Sequence, residues 1–378
     1  MRCHPWAAEI WNVDRGALCF GDTAVSCARK GLGFTMKPSS SHTSDGAIDR
    51  RNLVKVGAAA ATGAVATGLA GPPAAAQEAK IEAQEHWAMK GAVRLYLYRK
   101  RQIATPQTTK SVLFLVHGST FSSRGSYDLI VPGRTGYSAM DHFASLGYDV
   151  WTMDHEGYGF SSRTGGNSGI QTGVDDLKAA LPVVERLTGK SSVLMFGESS
   201  GAIRAGAFAM AEPARVERLV LHAFTYTGEN APEIERRRKQ VEAYRANPRR
   251  PFGMRQVQNI FDRDVAGKAD PALVKALADF ELQFGDSVPS GTYLDMAVNM
   301  PMVDPARLTC PVCLVRPEHD GNASDEELYR FFRALAAKDK SFVFVQGMTH
   351  GGGMIGSHRH RLWHIMHGFL SCPPAPAA

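Results

Sequence analysis

The chain has little cysteine, no long apolar run and no dense block of one charge, and each shortage removes a class of protein. Six cysteines in 378 residues are too few to staple a chain that is long enough to bury its own core. The 43 Lys+Arg against 37 Asp+Glu leave a formal charge of +6, small for this length and gathered in no long basic block, so it marks no nucleic-acid surface. The most apolar stretch, Val56 to Ala70, is built only from Ala, Gly, Val, Thr and Leu with three glycines, and it falls short of the roughly 20 apolar residues that cross a bilayer. Cys310-Pro311-Val312-Cys313 has redox or zinc spacing. It opens an apolar strand, however, and has no second pair to complete a metal site.

What precedes the main body reads as an address. Arg50-Arg51-Asn52-Leu53-Val54-Lys55, the short Ala-rich stretch and Pro72-Pro73-Ala74-Ala75-Ala76 have the order of an export signal: charged start, weakly apolar middle, small-residue end. Its arginine pair resembles the twin-arginine pattern, which implies the twin-arginine export machinery as a partner and a periplasmic or secreted destination. The signal is assigned to residues 49–76. Residues 1–48 are expected to be a disordered upstream extension, with Met36 offering a second start. Cleavage after Ala76 leaves 302 residues with 35 basic and 32 acidic side chains, so half of the excess charge leaves with the leader. The mature chain has no stable membrane span.

Beyond residue 77, short β-branched runs begin at Val93, Val112, Tyr148, Val193, Leu219, Val312 and Phe342. Helical patterns lie between most of them, over Gly136–Leu146, Val174–Leu187, Ala202–Ala211 and Asp325–Ala337. Alternating β and α units predict a mainly parallel sheet flanked by helices, with the site at the carboxyl ends of the strands. The core is assigned to 77–222 and 308–372. Residues 223–307 contain helix-like pieces and no convincing strand, too long for a loop, and are expected to form a helical cap. Its Phe252, Met254, Phe261, Phe280, Phe284, Tyr293, Met296, Met300 and Met302 suggest a hydrophobic group in the substrate.

The chemistry gathers at strand ends. Val193 to Phe196 leads into Gly197-Glu198-Ser199-Ser200-Gly201 and a small-residue helix, the strand, sharp turn and helix that present a serine hydroxyl. That hydroxyl needs a base, and the base needs an acid to orient it. Asp320 follows the strand ending at Arg316, and His350 sits in Gly347-Met348-Thr349-His350-Gly351-Gly352-Gly353 after the next. Glu318 and Glu229 are the rival acids.

With Val116-His117-Gly118-Ser119 and Asp154-His155-Glu156-Gly157-Tyr158-Gly159-Phe160-Ser161, these blocks resemble the α/β-hydrolase superfamily over nearly the whole mature chain. The nearest likeness is to its capped esterase and monoacylglycerol-lipase-like branch. The resemblance implies a sheet of about eight strands, a cap after the sixth, and oxyanion N–H groups from Ser119 and Ser200, with Thr120 as the alternative to Ser119. It implies a serine hydrolase acting on a small-molecule carboxylic ester, without cofactor or metal. Lactone, amide or C–C bond hydrolysis, and a ligand binder that has lost turnover, are the other readings. His117, His155, His222 and His319 are polar groups near strand ends that fit either pocket walls or structural roles. His358, His360, His364 and His367 read as a terminal helix face and not a metal site. Arg236-Arg237-Arg238-Lys239 reads as a solvated helix face.

Overall fold

The computed structural model describes residues 80–103 and 111–373. The expected extension (1–48) and export signal (49–76) lie outside the described residues. In chain order, β1 (Ile81–Lys90) and β2 (Val93–Gln102) are followed by β3 (Val112–Val116), α1 (Ser123–Tyr127), α2 (Ala139–Ser145), β4 (Asp149–Met153), α3 (Ile170–Thr188), β5 (Val193–Glu198), α4 (Ser200–Ala211) and β6 (Val216–His222). Next come α5 (Pro232–Arg238), α6 (Val241–Ala246), β7 (Arg249–Pro251), α7 (Met254–Asp262), α8 (Pro271–Leu282), β8 (Ser287–Pro289) and α9 (Gly291–Val298). The chain then closes with β9 (Val312–Pro317), α10 (Asp325–Ala334), β10 (Lys340–Val345) and α11 (Arg359–Leu370).

Eight strands form one sheet in the order β1-β2-β4-β3-β5-β6-β9-β10. Pairing is antiparallel from β1 through β2 to β4 and parallel from there on. This is the α/β-hydrolase fold that the motifs imply. The central strands read as unbroken apolar runs because both faces are covered. In β3, Val112, Phe114 and Val116 pack on the side of α3, α4 and α10, whereas Leu113 and Leu115 pack on the side of α2 and α11. The flanking helices carry their own stops and starts. Gly189, with φ +70°, ends α3 in the left-handed conformation that glycine adopts without penalty. The Ser324 hydroxyl accepts from Glu327 N–H to open α10, whose first turn holds Asp325, Glu326 and Glu327 at the positive end of the helix dipole.

The segment between β6 and β9 has its own apolar cluster, in which Phe252, Val257, Phe261, Leu277 and Val288 pack with Leu129, Tyr158 and Ile355. Two features differ from the sequence reading. The helical pattern over Ala231–Ala246 divides into α5 and α6, and β7 and β8 form a small antiparallel pair. Each is three residues long and ends in proline, too short for a period-two pattern to register.

All three cysteines in the described residues are free thiols, so neither Cys310 nor Cys313 pairs with Cys372. Burial pushes the Cys310 and Cys313 thiols up to about 11 and about 12, which leaves them protonated and unreactive. Among the described residues no helix is long and apolar enough to cross a membrane.

Candidate active site

Ser199 stands between β5 and α4 with φ +56° and ψ −128°, a strained conformation for a side chain with a Cβ. Two glycines make the turn passable. A Cβ on Gly197 would lie 2.4 Å from Gly201 O, and one on Gly201 would lie 2.2 Å from Val116 O. The Ser199 N–H is anchored to His222 O at 2.9 Å. Ser200 opens α4, where the first-turn N–H groups have no intrahelical acceptor and the helix dipole is positive.

The preceding loop is held just as firmly. His117 Nδ1 donates to Gly118 O at 2.7 Å while Nε2 accepts from His155 N–H at 3.1 Å. That pair of contacts fixes one tautomer and orients the peptide that carries Ser119 N–H. Burial drives the His117 imidazole well below its ordinary value, so it stays neutral. The next peptide is fixed through Ser119 O, which accepts from Tyr158 Oη and Arg250 Nη2, both at 2.8 Å. The Ser119 hydroxyl meets Ser200 Oγ at 2.5 Å and accepts from Thr292 Oγ1 at 2.7 Å.

His350 Nδ1 lies 2.9 Å from Asp320 Oδ1, with side chains 8% and 1% exposed. Burial opposes ionisation of Asp320, but the charge and hydrogen bond of His350, with Arg263 and Arg316 nearby, hold its carboxyl well below the usual carboxylate range. Asp320 Oδ1 also accepts from Asn322 N–H at 2.9 Å. The rival acids are engaged elsewhere: Glu318 accepts from Gly347 N–H at 2.6 Å, and Glu229 pairs with Arg330 on the surface. A chamber of about 60 Å³ joins Ser199 and His350, and Gly118, Ser119, Thr120, Ile260 and Phe261 are among its walls.

Two contributors to this geometry escaped the sequence reading. Asn322 Nδ2 lies 3.0 Å from Nδ1 and 3.3 Å from Nε2 of His350, its orientation set by Arg237 Nη2 donating to Oδ1. Asp264 accepts from the backbone N–H of His350 at 2.7 Å and of Gly321 at 3.3 Å, tying the two loops together. The only available signals were an asparagine in a turn and an aspartate after a helix, neither distinctive.

The remaining candidates sort into walls and scaffolding. His117, His155 and His222 are fully buried and none reaches the chamber wall, while His319 sits beside Glu318 at 3.5 Å. Among the described residues no group of His, Cys, Asp and Glu has the arrangement to hold a metal ion. His367 of the terminal run instead contacts Tyr148. Of the apolar residues singled out between β6 and β9, Phe261 lines the chamber, while Phe252, Phe280 and Met296 pack within apolar clusters. The basic run is a solvated face only in part: Arg237 is 1% exposed, 4.1 Å from the centre of the Tyr293 ring. Cation–π attraction and the Asn322 contact offset its burial.

A protein-family model described as serine aminopeptidase, S33, matches residues 107–352. No curated protein matches the chain. Among solved structures, a thermophilic esterase from Thermogutta terrifontis with malate bound is 20% identical at TM-score 0.55, covering 76% of this chain and 98% of that one. Carboxylesterase CesB from Bacillus subtilis is 15% identical at TM-score 0.53, over 77% and 92%. The 2-hydroxy-6-oxo-6-phenylhexa-2,4-dienoate hydrolase of Rhodococcus sp. strain RHA1 is 14% identical at TM-score 0.55, over 77% and 99%. At these identities the likeness is one of fold.

Proposed function

The chain belongs to the serine aminopeptidase, S33, family of α/β-hydrolases, and we propose that it cleaves a carboxylic ester through an acyl-enzyme formed on Ser199. The observation that carries this reading is a serine held in a strained turn on the wall of a chamber shared with His350, whose Nδ1 is paired at 2.9 Å with buried Asp320. His350 Nε2 takes the Ser199 proton as Oγ attacks the carbonyl carbon, then gives it to the departing alkoxide. The acyl-enzyme is hydrolysed by a water that His350 activates in the same way, and the proton returns to Ser199 as the acid leaves. Asp320 keeps Nδ1 as the donor and stabilises the imidazolium. The N–H groups of Ser119 and Ser200 hold the oxyanion, each contributing about 3 kcal/mol of transition-state stabilisation.

The apolar walls Phe121, Ile260, Phe261, Met354 and Ile355 favour a hydrophobic group beside the reacting carbonyl, and residues 223–307 act as the cap that excludes water there. Residues 49–76 direct export by the twin-arginine route.

The test of the chemistry is labelling with a fluorophosphonate together with hydrolysis of 4-nitrophenyl acetate, for wild type and Ser199→Ala. Labelling at Ser199 is expected in wild type alone, and the substituted protein should lose the label together with about 10³-fold or more in rate. Hydrolysis that survives the substitution refutes the nucleophile.

A further inference from the structure

Beside the Ser199 chamber lies a second, larger cavity with very different walls. It measures about 510 Å³ and is lined by Arg236, Arg250, Arg255 and Arg263, with Tyr293 among its other walls. Thr120 and Ile260 belong to both cavities, so the two adjoin at the residue following Ser119. The chamber at Ser199, about 60 Å³ against about 510 Å³, is much the smaller of the two. A substrate longer than this chamber has a direct path past Thr120 into the arginine cavity.

The arginines there are poorly compensated. With Arg237 beneath Tyr293, five guanidinium groups meet three carboxylates, Glu233, Asp264 and, through Arg263, Asp320. Arg263, its side chain 4% exposed, has Glu233 and Asp264 at 3.6 Å, beyond hydrogen-bond reach, and its Nε and Nη2 are buried without an acceptor among the described residues. Arg250 Nε is likewise buried and unsatisfied, and among the described residues Arg250 pairs with no carboxylate: its Nη2 donates to Ser119 O and Thr120 Oγ1. Arg255 is exposed and forms no ion pair among the described residues. Guanidinium groups gathered on the wall of one cavity favour an anion with two or three oxygens there, which arginine holds in a forked geometry. Tyr293 reports the field. Burial opposes its ionisation, yet Arg250, Arg237 and Arg263 outweigh that and bring the phenol down to about 6.

We propose that this cavity binds an oxyanion, carboxylate or phosphate, carried by the acyl half of the substrate away from the bond that Ser199 cleaves. The enzyme then hydrolyses esters of anionic acids, with the apolar walls at Ser199 taking the intervening methylenes. The link to catalysis rests on Ser199 as the nucleophile; the binding site itself does not.

The test therefore reads binding and turnover separately. In Ser199→Ala protein at fixed chloride, calorimetric titration with adipate and with inorganic phosphate is expected to give a dissociation constant of about 1 mM or tighter for at least one of them, the tighter one naming the oxyanion. Arg255→Gln, which disturbs no ion pair, and Arg263→Gln should each weaken that binding about tenfold, the share of one charge-assisted hydrogen bond. In the Ser199 enzyme, kcat/KM for mono-(4-nitrophenyl) adipate should exceed that for the neutral 4-nitrophenyl heptanoate, and Arg255→Gln should lower the ratio by a similar factor. Absence of binding by both anions, binding indifferent to both substitutions, or a preference for the neutral ester overturns the proposal. Failure of Ser199 chemistry looks different: no ester is turned over, while anion binding and its arginine dependence persist.

Discussion

Glu281 gives the sharpest quantitative handle on the segment between β6 and β9. Its carboxyl is on α8, 5% exposed, and Oε1 accepts from Ser122 N–H at 2.8 Å and Ser122 Oγ at 2.7 Å. No cation is among the groups that shift it: burial, with Asp154 adding repulsion, outweighs the two hydrogen bonds and pushes it up to about 8. An unfolded glutamate titrates near 4.3, and each unit of difference is worth about 1.36 kcal/mol. Because the folded value is the raised one, folding takes up a proton, and the contribution of this group is fully present below about pH 4 and lost as pH rises toward 8. The loss between pH 5 and pH 8.5 comes to about 4 kcal/mol. Glu281→Gln keeps the acceptor for Ser122 and cannot ionise. Urea unfolding followed by tryptophan fluorescence should therefore show the variant gaining about 4 kcal/mol on wild type between pH 5 and pH 8.5. A difference that is the same at both pH values, or that moves the other way, refutes the buried-acid argument.

The strain at Ser199 predicts that Ser199→Gly unfolds with a free energy about 1 kcal/mol higher than Ser199→Ala, since only glycine relieves φ +56° and its added flexibility recovers part of the gain for the unfolded chain. Denaturant titration of the two inactive variants decides it, and a more stable alanine variant contradicts the strain. Asp320→Asn should lower kcat for an activated ester about 10⁴-fold by favouring the wrong imidazole tautomer. Glu318→Gln, whose carboxylate holds Gly347 N–H instead, should change kcat less than about fivefold; equal losses would show that the two acids had been ranked wrongly. Replacement of Arg50 and Arg51 by Lys should trap the protein in the cytoplasm of a bacterial host on fractionation, and undiminished periplasmic protein would argue against the twin-arginine route.

The positions of Ser199 and Asp320 were legible because each follows a buried strand, and a run such as Val193 to Phe196 announces both the strand and the place where it ends; His350 follows the half-exposed edge strand β10 and was marked instead by the glycine-rich loop around it. The same logic failed for β1. Ile81-Glu-Ala-Gln-Glu-His-Trp-Ala-Met-Lys90 is rich in Ala, Glu, Gln, Met and Lys, a composition that suits helices. It is a strand because β2 offers ten consecutive partners at the sheet edge, where charged side chains are an advantage. Arg237 failed in the opposite sense. Its neighbours Arg236 and Arg238 pair with Glu233 and Glu235 as the sequence suggests, but only the tertiary position of Tyr293, 56 residues later in the sequence, turns Arg237 inward. Asn322 and Asp264 were hidden for a related reason: turn residues acquire their role from a partner distant in sequence, and no local period carries that information.

Those distant contacts say how the segment between β6 and β9 relates to the chemistry. It grips the two loops that flank Ser199, through different atoms in each. Arg250 and Thr292 bind the carbonyl and hydroxyl of Ser119, and Asp264 binds the backbone of the His350 loop and of Gly321 beside Asp320. Glu281 binds Ser122 farther along the Ser119 loop. Such a segment cannot swing clear as a lid without releasing the peptides that orient the oxyanion donors and the base. Opening it would exchange hydrogen bonds to Ser119, Gly321, Ser122 and His350 for water, at a net cost of about 1 kcal/mol for each neutral bond and more for those made by Arg250, Asp264 and other charged groups. Substrate can reach Ser199 without that opening, because the arginine cavity meets the Ser199 chamber at Thr120 and Ile260. On the proposed reading, selection of the anion and passage to Ser199 share one route, and Thr120 on that route adjoins Ser119, the proposed oxyanion donor.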